Sequence, residues 1–222
     1  EPLVQCAAGM AMHDPAYLRQ ARALCDRHGV HLVVDEIAVG FGRTGTMFAH
    51  QQAGIRPDFI CLSKGLTGGT LPLSAVLTTD VVYAAFYDDD VARGFLHSHS
   101  YTGNPLACRA ALATLELFEQ LDALNANKAL AQRIDAACAP LAQHPRVRHA
   151  RSLGMIWAWD VDTTLPDFSR RYHQHAMARG LVLRPIGKTL YAMPPYVLDD
   201  EAVQCLASGA LAALNATLQE EN

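Results

Sequence analysis

Apolar positions along the chain follow two regimes. Up to residue 143 they come as short continuous runs, Leu32-Val33-Val34, Phe59-Ile60-Cys61-Leu62 and residues 73–78, each bounded by turn residues. Runs of this length suit strands buried on both faces of a parallel sheet, with crossover helices between them. Asp14-Pro15 predicts a helix start, with Asp as N-cap and Pro at the first helical position, and Gly29 predicts its end. Tyr17, Ala21, Leu24 and Cys25 share one face of it. Only a short helix fits between Thr46 and Ala53, and another is expected over residues 80–87. Asn104-Pro105 opens a long helix to about Asn125, with Leu106, Ala110, Ala113 and Leu117 on one face, and residues 128–143 follow as a second.

Beyond His144-Pro145 the pattern turns to alternation. Residues 147–161 and 181–193 read as strands of a mixed or antiparallel sheet, packed by helices at 166–179 and 199–219. The expected architecture is α/β: a larger domain over residues 1–143 built on a mostly parallel sheet, then a small α+β domain over 144–222. Trp157 and Trp159 alternate on one strand and are expected in the core or at an interface.

Composition narrows the function classes. The chain has 222 residues, half of them hydrophobic and 18% charged, enough to bury a sizeable core. A net charge of -4 lacks the basic face that nucleic acid requires. No apolar run approaches the roughly 18 residues of a membrane span, and no signal peptide is expected. The six cysteines are dispersed without a C-x-x-C pair, so buried, reduced thiols in a cytoplasmic protein are expected rather than a disulfide or metal framework. The chain begins on Glu1-Pro2-Leu3-Val4-Gln5, without Met and inside a strand-like run, which reads as the later part of a longer polypeptide.

Candidate chemistry concentrates between residues 32 and 69. Two apolar runs each end on an ionisable group: Asp35-Glu36 after the first and Lys64 after the second. Ligands in open α/β sheets lie beyond the carboxyl ends of the strands, so a carboxylate and an amine are expected to face one crevice. Only three lysines occur. Lys128 opens a helix and Lys188 sits in a Gly-Lys turn, whereas Lys64 ends a buried strand among small polar residues. Such an amine suits a Schiff-base lysine, and a lysine reaching solvent from a strand end is the competing reading. Asp35-Glu36 alone could be a metal-ligand pair, a helix cap or a salt-bridge partner. Gly40 to Gly45 matches G-x-G-x-x-G, but it stands away from the strand-to-helix turn, so close backbone approach is expected there rather than a nucleotide. His97-Ser98-His99 lacks an evident third metal ligand. Ser63 and Lys64 are adjacent on an extended segment and point to opposite faces, which speaks against a Ser-Lys hydrolase. Residues 63–69 read as a mobile polar turn.

Three motifs, VVDEIAVGFGRTG, DFICLSKGLTGG and HSHSYTGNPLACRAAL, occur in that order. With them the chain resembles the class III aminotransferases, fold-type I pyridoxal-phosphate enzymes, over essentially its whole length. The segment LVLRPIGKTLYAMPPYVL is similar to the branch that passes an amino group from S-adenosylmethionine to 8-amino-7-oxononanoate in biotin biosynthesis. The resemblance implies pyridoxal 5'-phosphate as cofactor, no metal, and a cytoplasmic homodimer with a shared active site. It implies Lys64 as the catalytic lysine that carries the cofactor, and Asp35 at the pyridine nitrogen. His99 and Ser100 would bind the cofactor, while Ser98 and Arg184 would bind substrate. The partner subunit would supply the loop carrying residues 98–100. Ser100 stands where many relatives have Thr, and His99 where one branch has Pro. Donors such as ω-amino acids, polyamines or lysine, and a non-catalytic fragment, remain the alternatives.

Overall fold

The structure is a computed structural model that describes residues 1–221. It divides into two compact units. The first comprises Glu1–Val4 and His13–Ala123; the second comprises Gln5–Met12 and the residues from Leu124 onward. Short strands β1 (Val4–Gln5) and β2 (Ala11–Met12) open the chain.

In the first unit, α1 (Pro15–His28) starts and stops where its caps dictate. Asp14 Oδ1 accepts the Ala16 N–H at 2.7 Å, and Gly29 closes the helix at φ +62°. Its buried residue is Leu18; Tyr17 and Leu24, on the expected apolar face, are exposed. The sheet that follows contains β3 (Val33–Asp35), β4 (Phe59–Leu62) and β5 (Ala75–Thr78), in that spatial order. β3 and β4 run parallel, and β5 joins β4 antiparallel. Asp58 fixes this register. Its Oδ2 accepts Arg22 Nη1 at 2.6 Å and the Leu32 N–H at 2.7 Å, while its carbonyl accepts the Thr78 hydroxyl at 2.9 Å. The Arg22 guanidinium and then the Leu32 amide hold the Asp58 carboxyl below the ordinary aspartate range. α2 (Asp80–Ala84) and α3 (Pro105–Gln120) complete the unit. The buried face of α3 carries Ala107 and Ala111, one residue round from the expected Leu106–Ala110 stripe; Leu106 and Leu117 are exposed.

The second unit has its own core. α4 (Ala123–Ala142) leads into β6 (Val147–Leu153) and β7 (Ile156–Val161). α5 (Phe168–Met177), β8 (Thr189–Ala192) and α6 (Asp200–Gln219) follow. β6, β7 and β8 form an antiparallel meander, as the alternation predicts. Leu130, Ile134, Cys138 and Leu141 of α4 pack in one cluster with Trp157, Trp159, Phe168, Tyr172 and Leu214. The two units therefore part at the near end of α4, whereas the expected division at 143/144 falls at its far end. Trp157 Nε1 donates to Asp135 at 2.6 Å, satisfying the one polar atom of a buried indole. None of the six cysteines forms a disulfide, but only Cys138 is buried, where desolvation pushes its thiol up to about 11; Cys205 is exposed. Among the described residues no helix is long and apolar enough to cross a membrane.

Candidate active site

Parallel pairing decides what the two strand ends share. β3 and β4 align Val33 with Phe59, Val34 with Ile60 and Asp35 with Cys61. Asp35 is therefore the last residue of β3, and Lys64 lies three residues beyond Asp35's register partner on a strand about 4.8 Å away. Both lie at the carboxyl ends of adjacent parallel strands, the position at which open α/β sheets bind ligands.

The two acids after β3 have separate surroundings. Glu36 is fully buried. Its carboxylate accepts the Ala49 N–H at 2.9 Å, the His50 N–H at 2.8 Å and His50 Nδ1 at 2.9 Å. It caps the 3-10 helix Ala49–Ala53, so of the readings open for this acid pair Glu36 takes the helix cap. Asp35 is half-buried. Its Oδ1 accepts the Ile37 N–H at 2.9 Å, and among the described residues its Oδ2 has no partner.

The Lys64 turn is ordered by hydrogen bonds, where the sequence suggested a mobile one. Residues Lys64–Thr67 form a 3-10 helix ended by Gly68 at φ +60°. The Ser63 hydroxyl donates to the Leu73 carbonyl at 2.7 Å, and the Thr67 hydroxyl to that of Leu71 at 2.6 Å. Ser63 is thus committed to the backbone leading into β5 and is not poised as a nucleophile. Lys64 itself adopts φ +45°, an uncommon conformation for a side-chain-bearing residue and one that clusters at functional sites. Its amine is exposed and has no hydrogen bond or ion pair among the described residues. Leu66 and Ala111 share a core cluster, so α3 packs behind the turn.

The remaining candidates stand on other segments of the chain. Ser98, His99 and Ser100 are exposed in the segment before α3. His99 is engaged within that segment: its N–H donates to Thr102 Oγ1 at 3.0 Å, and its Nδ1 accepts the Tyr101 N–H at 3.1 Å. Among the described residues no hydrogen bond joins residues 98–100 to Asp35 or Lys64. Arg184 belongs to the second unit. It is exposed, its guanidinium has no hydrogen bond or ion pair among the described residues, and it lines a cavity of about 910 Å³ with Tyr191, Met193, Pro194 and Leu198. A lone guanidinium on a largely apolar wall suits a carboxylate with an aliphatic body.

An unpartnered carboxylate oxygen and an unpartnered amine at neighbouring strand ends fit a group that needs both an acid and a covalent amine partner. Pyridoxal 5'-phosphate is such a group. The family model for class III aminotransferases matches residues 1–214. The chain belongs to the class III aminotransferase family. It is 45% identical to the adenosylmethionine-8-amino-7-oxononanoate aminotransferase of Helicobacter pylori, over 97% of this chain and 51% of that protein. With the enzyme of the same name from Synechococcus elongatus it is 48% identical, over 92% of this chain and 49% of that one. The chain therefore spans about half the length of these curated relatives. Among solved structures, the adenosylmethionine-8-amino-7-oxononanoate aminotransferase of Methanocaldococcus jannaschii superposes with a TM-score of 0.89 at 30% identity, covering 96% of this chain and 52% of that one. An omega transaminase six-fold mutant from Pseudomonas jessenii superposes with a TM-score of 0.91 at 25% identity, covering 99% and 51%. The chain has the fold of class III transaminases, with β5 the antiparallel strand of its first sheet.

Sequence reasoning did not single out Glu36 and His50 as a pair. The signal was faint: a buried acid needs donors, and the nearest suitable ones lie 13 and 14 residues further on.

Proposed function

We propose that the protein containing this chain is a pyridoxal 5'-phosphate-dependent aminotransferase. It moves the amino group of S-adenosylmethionine to 8-amino-7-oxononanoate, giving 7,8-diaminononanoate for biotin synthesis. The observation that carries the reading is the parallel β3–β4 register, with an unpartnered Asp35 oxygen and an unpartnered Lys64 amine at the same strand ends. The choice of substrates is supported by the names of the relatives and by the segment around Arg184 and Pro194-Pro195-Tyr196.

When bound, the cofactor supplies a carbon that takes the amino group and a ring that accepts an electron pair. Lys64 would hold it covalently, and its amine would move the proton at the substrate's α-carbon. Asp35 would hold the ring nitrogen and keep it protonated, because a carboxylate beside a basic nitrogen favours its cationic form. His99 and Ser100 contact the cofactor, and Ser98 the substrate, from the partner subunit of a homodimer. Arg184 forks onto the substrate carboxylate, a task its planar paired donors suit better than an ammonium would. Cysteines outside any disulfide accord with a reducing, cytoplasmic setting.

The test is spectroscopic. The purified full-length protein should carry a visible absorbance band that S-adenosylmethionine bleaches and 8-amino-7-oxononanoate restores. Bleaching by β-alanine, putrescine or lysine, with none by S-adenosylmethionine, would assign another class III reaction. A protein with no such band and no donor-dependent turnover would refute the reading.

A further inference from the structure

Behind Asp35 stands a buried polar pair that no step above uses. Glu36 is 0% exposed and His50 is 8% exposed. Both Glu36 carboxylate oxygens already accept backbone N–H groups, so the 2.9 Å contact with His50 Nδ1 makes that nitrogen the donor. The same residue is tied to the sheet and to the loop after it. Its N–H donates to the Cys61 carbonyl at 3.0 Å, and its carbonyl accepts the Gly40 N–H at 2.8 Å. Glu36 thus joins β4, the turn after β3 and the helix Ala49–Ala53 at one point.

The His50 ring is itself held in place. It stacks on Phe48 with centroids 5.9 Å apart and planes 13° apart, and Phe48 meets Phe41 edge-on at 5.6 Å. Phe41 is buried at φ +54° and backs the turn of Lys64: a Cβ built on Gly65 would stand 2.9 Å from Phe41 Cβ. The ring of His50 therefore cannot swing away from Glu36 without disturbing this aromatic column.

We propose that His50 and Glu36 are positioning residues for the cofactor site, a hydrogen-bonded clamp that fixes the backbone turn from which Asp35 presents its free oxygen. The clamp acts through Asp35, whose Oδ1 is held by the Ile37 N–H within that turn. Supporting residues of this kind set reactive groups to a fraction of an ångström, and a displacement of about 1 Å costs on the order of a hundredfold in rate. The inference rests on the aminotransferase reading for its catalytic meaning.

The test uses the cofactor-loaded full-length enzyme and its cofactor-free form. His50→Leu keeps the apolar bulk and removes the donor. Glu36→Gln keeps the volume but offers one acceptor oxygen to three N–H groups. Each is expected to lower kcat about tenfold with KM within about twofold. Each should also roughly halve the circular dichroism of the cofactor's visible band per unit absorbance and, in the cofactor-free protein, speed exchange of the Ile37 amide about tenfold. His50→Asn places an amide nitrogen where Nδ1 stands and should bring all three readouts back to within about threefold of the wild type. Lower thermal stability with unchanged kcat, dichroism and Ile37 exchange would make the pair a structural brace and overturn the proposal, as would no recovery by His50→Asn. If His50→Leu does not fold, Glu36→Gln decides. A wild-type enzyme with no visible band would sink the functional reading instead, and Ile37 exchange would still decide whether the clamp orders the turn.

Discussion

Gly40→Ala makes a demanding test of how the Asp35 turn is built. Gly40 does not adopt positive φ, so backbone strain is not at issue; the issue is space. A Cβ there would stand 2.8 Å from the Glu36 carbonyl oxygen, 3.3 Å from Glu36 Cβ and 3.4 Å from Phe48 Cδ1. The nearest atom is backbone and already accepts the Gly40 N–H at 2.8 Å, so it cannot retreat without breaking that bond. Overpacking of this kind costs about 1–3 kcal/mol, and loss of the hydrogen bond about 1 kcal/mol more. Restricting the unfolded chain returns about 0.4–1 kcal/mol, leaving a net destabilisation of about 1–3.6 kcal/mol. Both tryptophans lie in the second unit, so their fluorescence would not report the change. The readout is hydrogen exchange at the Ala49 and His50 amides, which Glu36 accepts. A loss of about 1–3.6 kcal/mol in local opening free energy corresponds to exchange about 5- to 400-fold faster. Exchange within about twofold of the wild type, or slower, would show that the turn gives way cheaply and refute the reasoning.

Two further predictions concern the rest of the chain. Ile134→Ala, at a fully buried position in the second core, should cost about 2–5 kcal/mol by urea denaturation followed through tryptophan fluorescence; a cost below about 1 kcal/mol would mean α4 does not share that core. Acid should weaken the protein through Asp58 and Glu221, both held below their ordinary values. Asp58 is lowered by the Arg22 side chain and the Leu32 amide; Glu221, lowered to about 2, by the Thr163 hydroxyl, Arg146 and the Thr164 amide. Their folded values lie below the unfolded 3.8 and 4.5, so their stabilisation is complete above those values and fades as pH falls through the folded ones. The urea midpoint should drop below pH 4.5 and less steeply in Glu221→Gln; an unchanged slope would remove Glu221 from the explanation.

What the sequence makes legible here is what local chemistry decides. Asp14, Pro15 and Gly29 bound α1 because caps act within a turn of the helix end, and β4 coincides with its apolar run. Helix faces were harder. Leu106 and Ala107 are neighbours with similar apolar claims, and the face that is buried, with Ala107 and Ala111, is set by packing, Ala111 clustering with Leu66 of the Lys64 turn. In the site, Asp35 and Lys64 stand out because both end apolar runs. The engagement of Glu36 as a helix cap was not legible, since it depends on amide donors 13 and 14 residues away. Nor does sequence spacing reveal the register of β3 on β4, which Asp58 fixes through Arg22 and Leu32.

The most direct measurement is to trap the covalent partner. The cofactor-loaded protein is reduced with borohydride, digested, and its peptides are mapped by mass. Within this chain the candidates are Lys64, Lys128 and Lys188. The cofactor's mass should appear on the peptide containing Lys64 and vanish in Lys64→Ala. A tag on Lys128 or Lys188, or a fully active enzyme with Lys64 unmodified, would contradict the assignment of Lys64 and with it the reading of the two strand ends as one catalytic site.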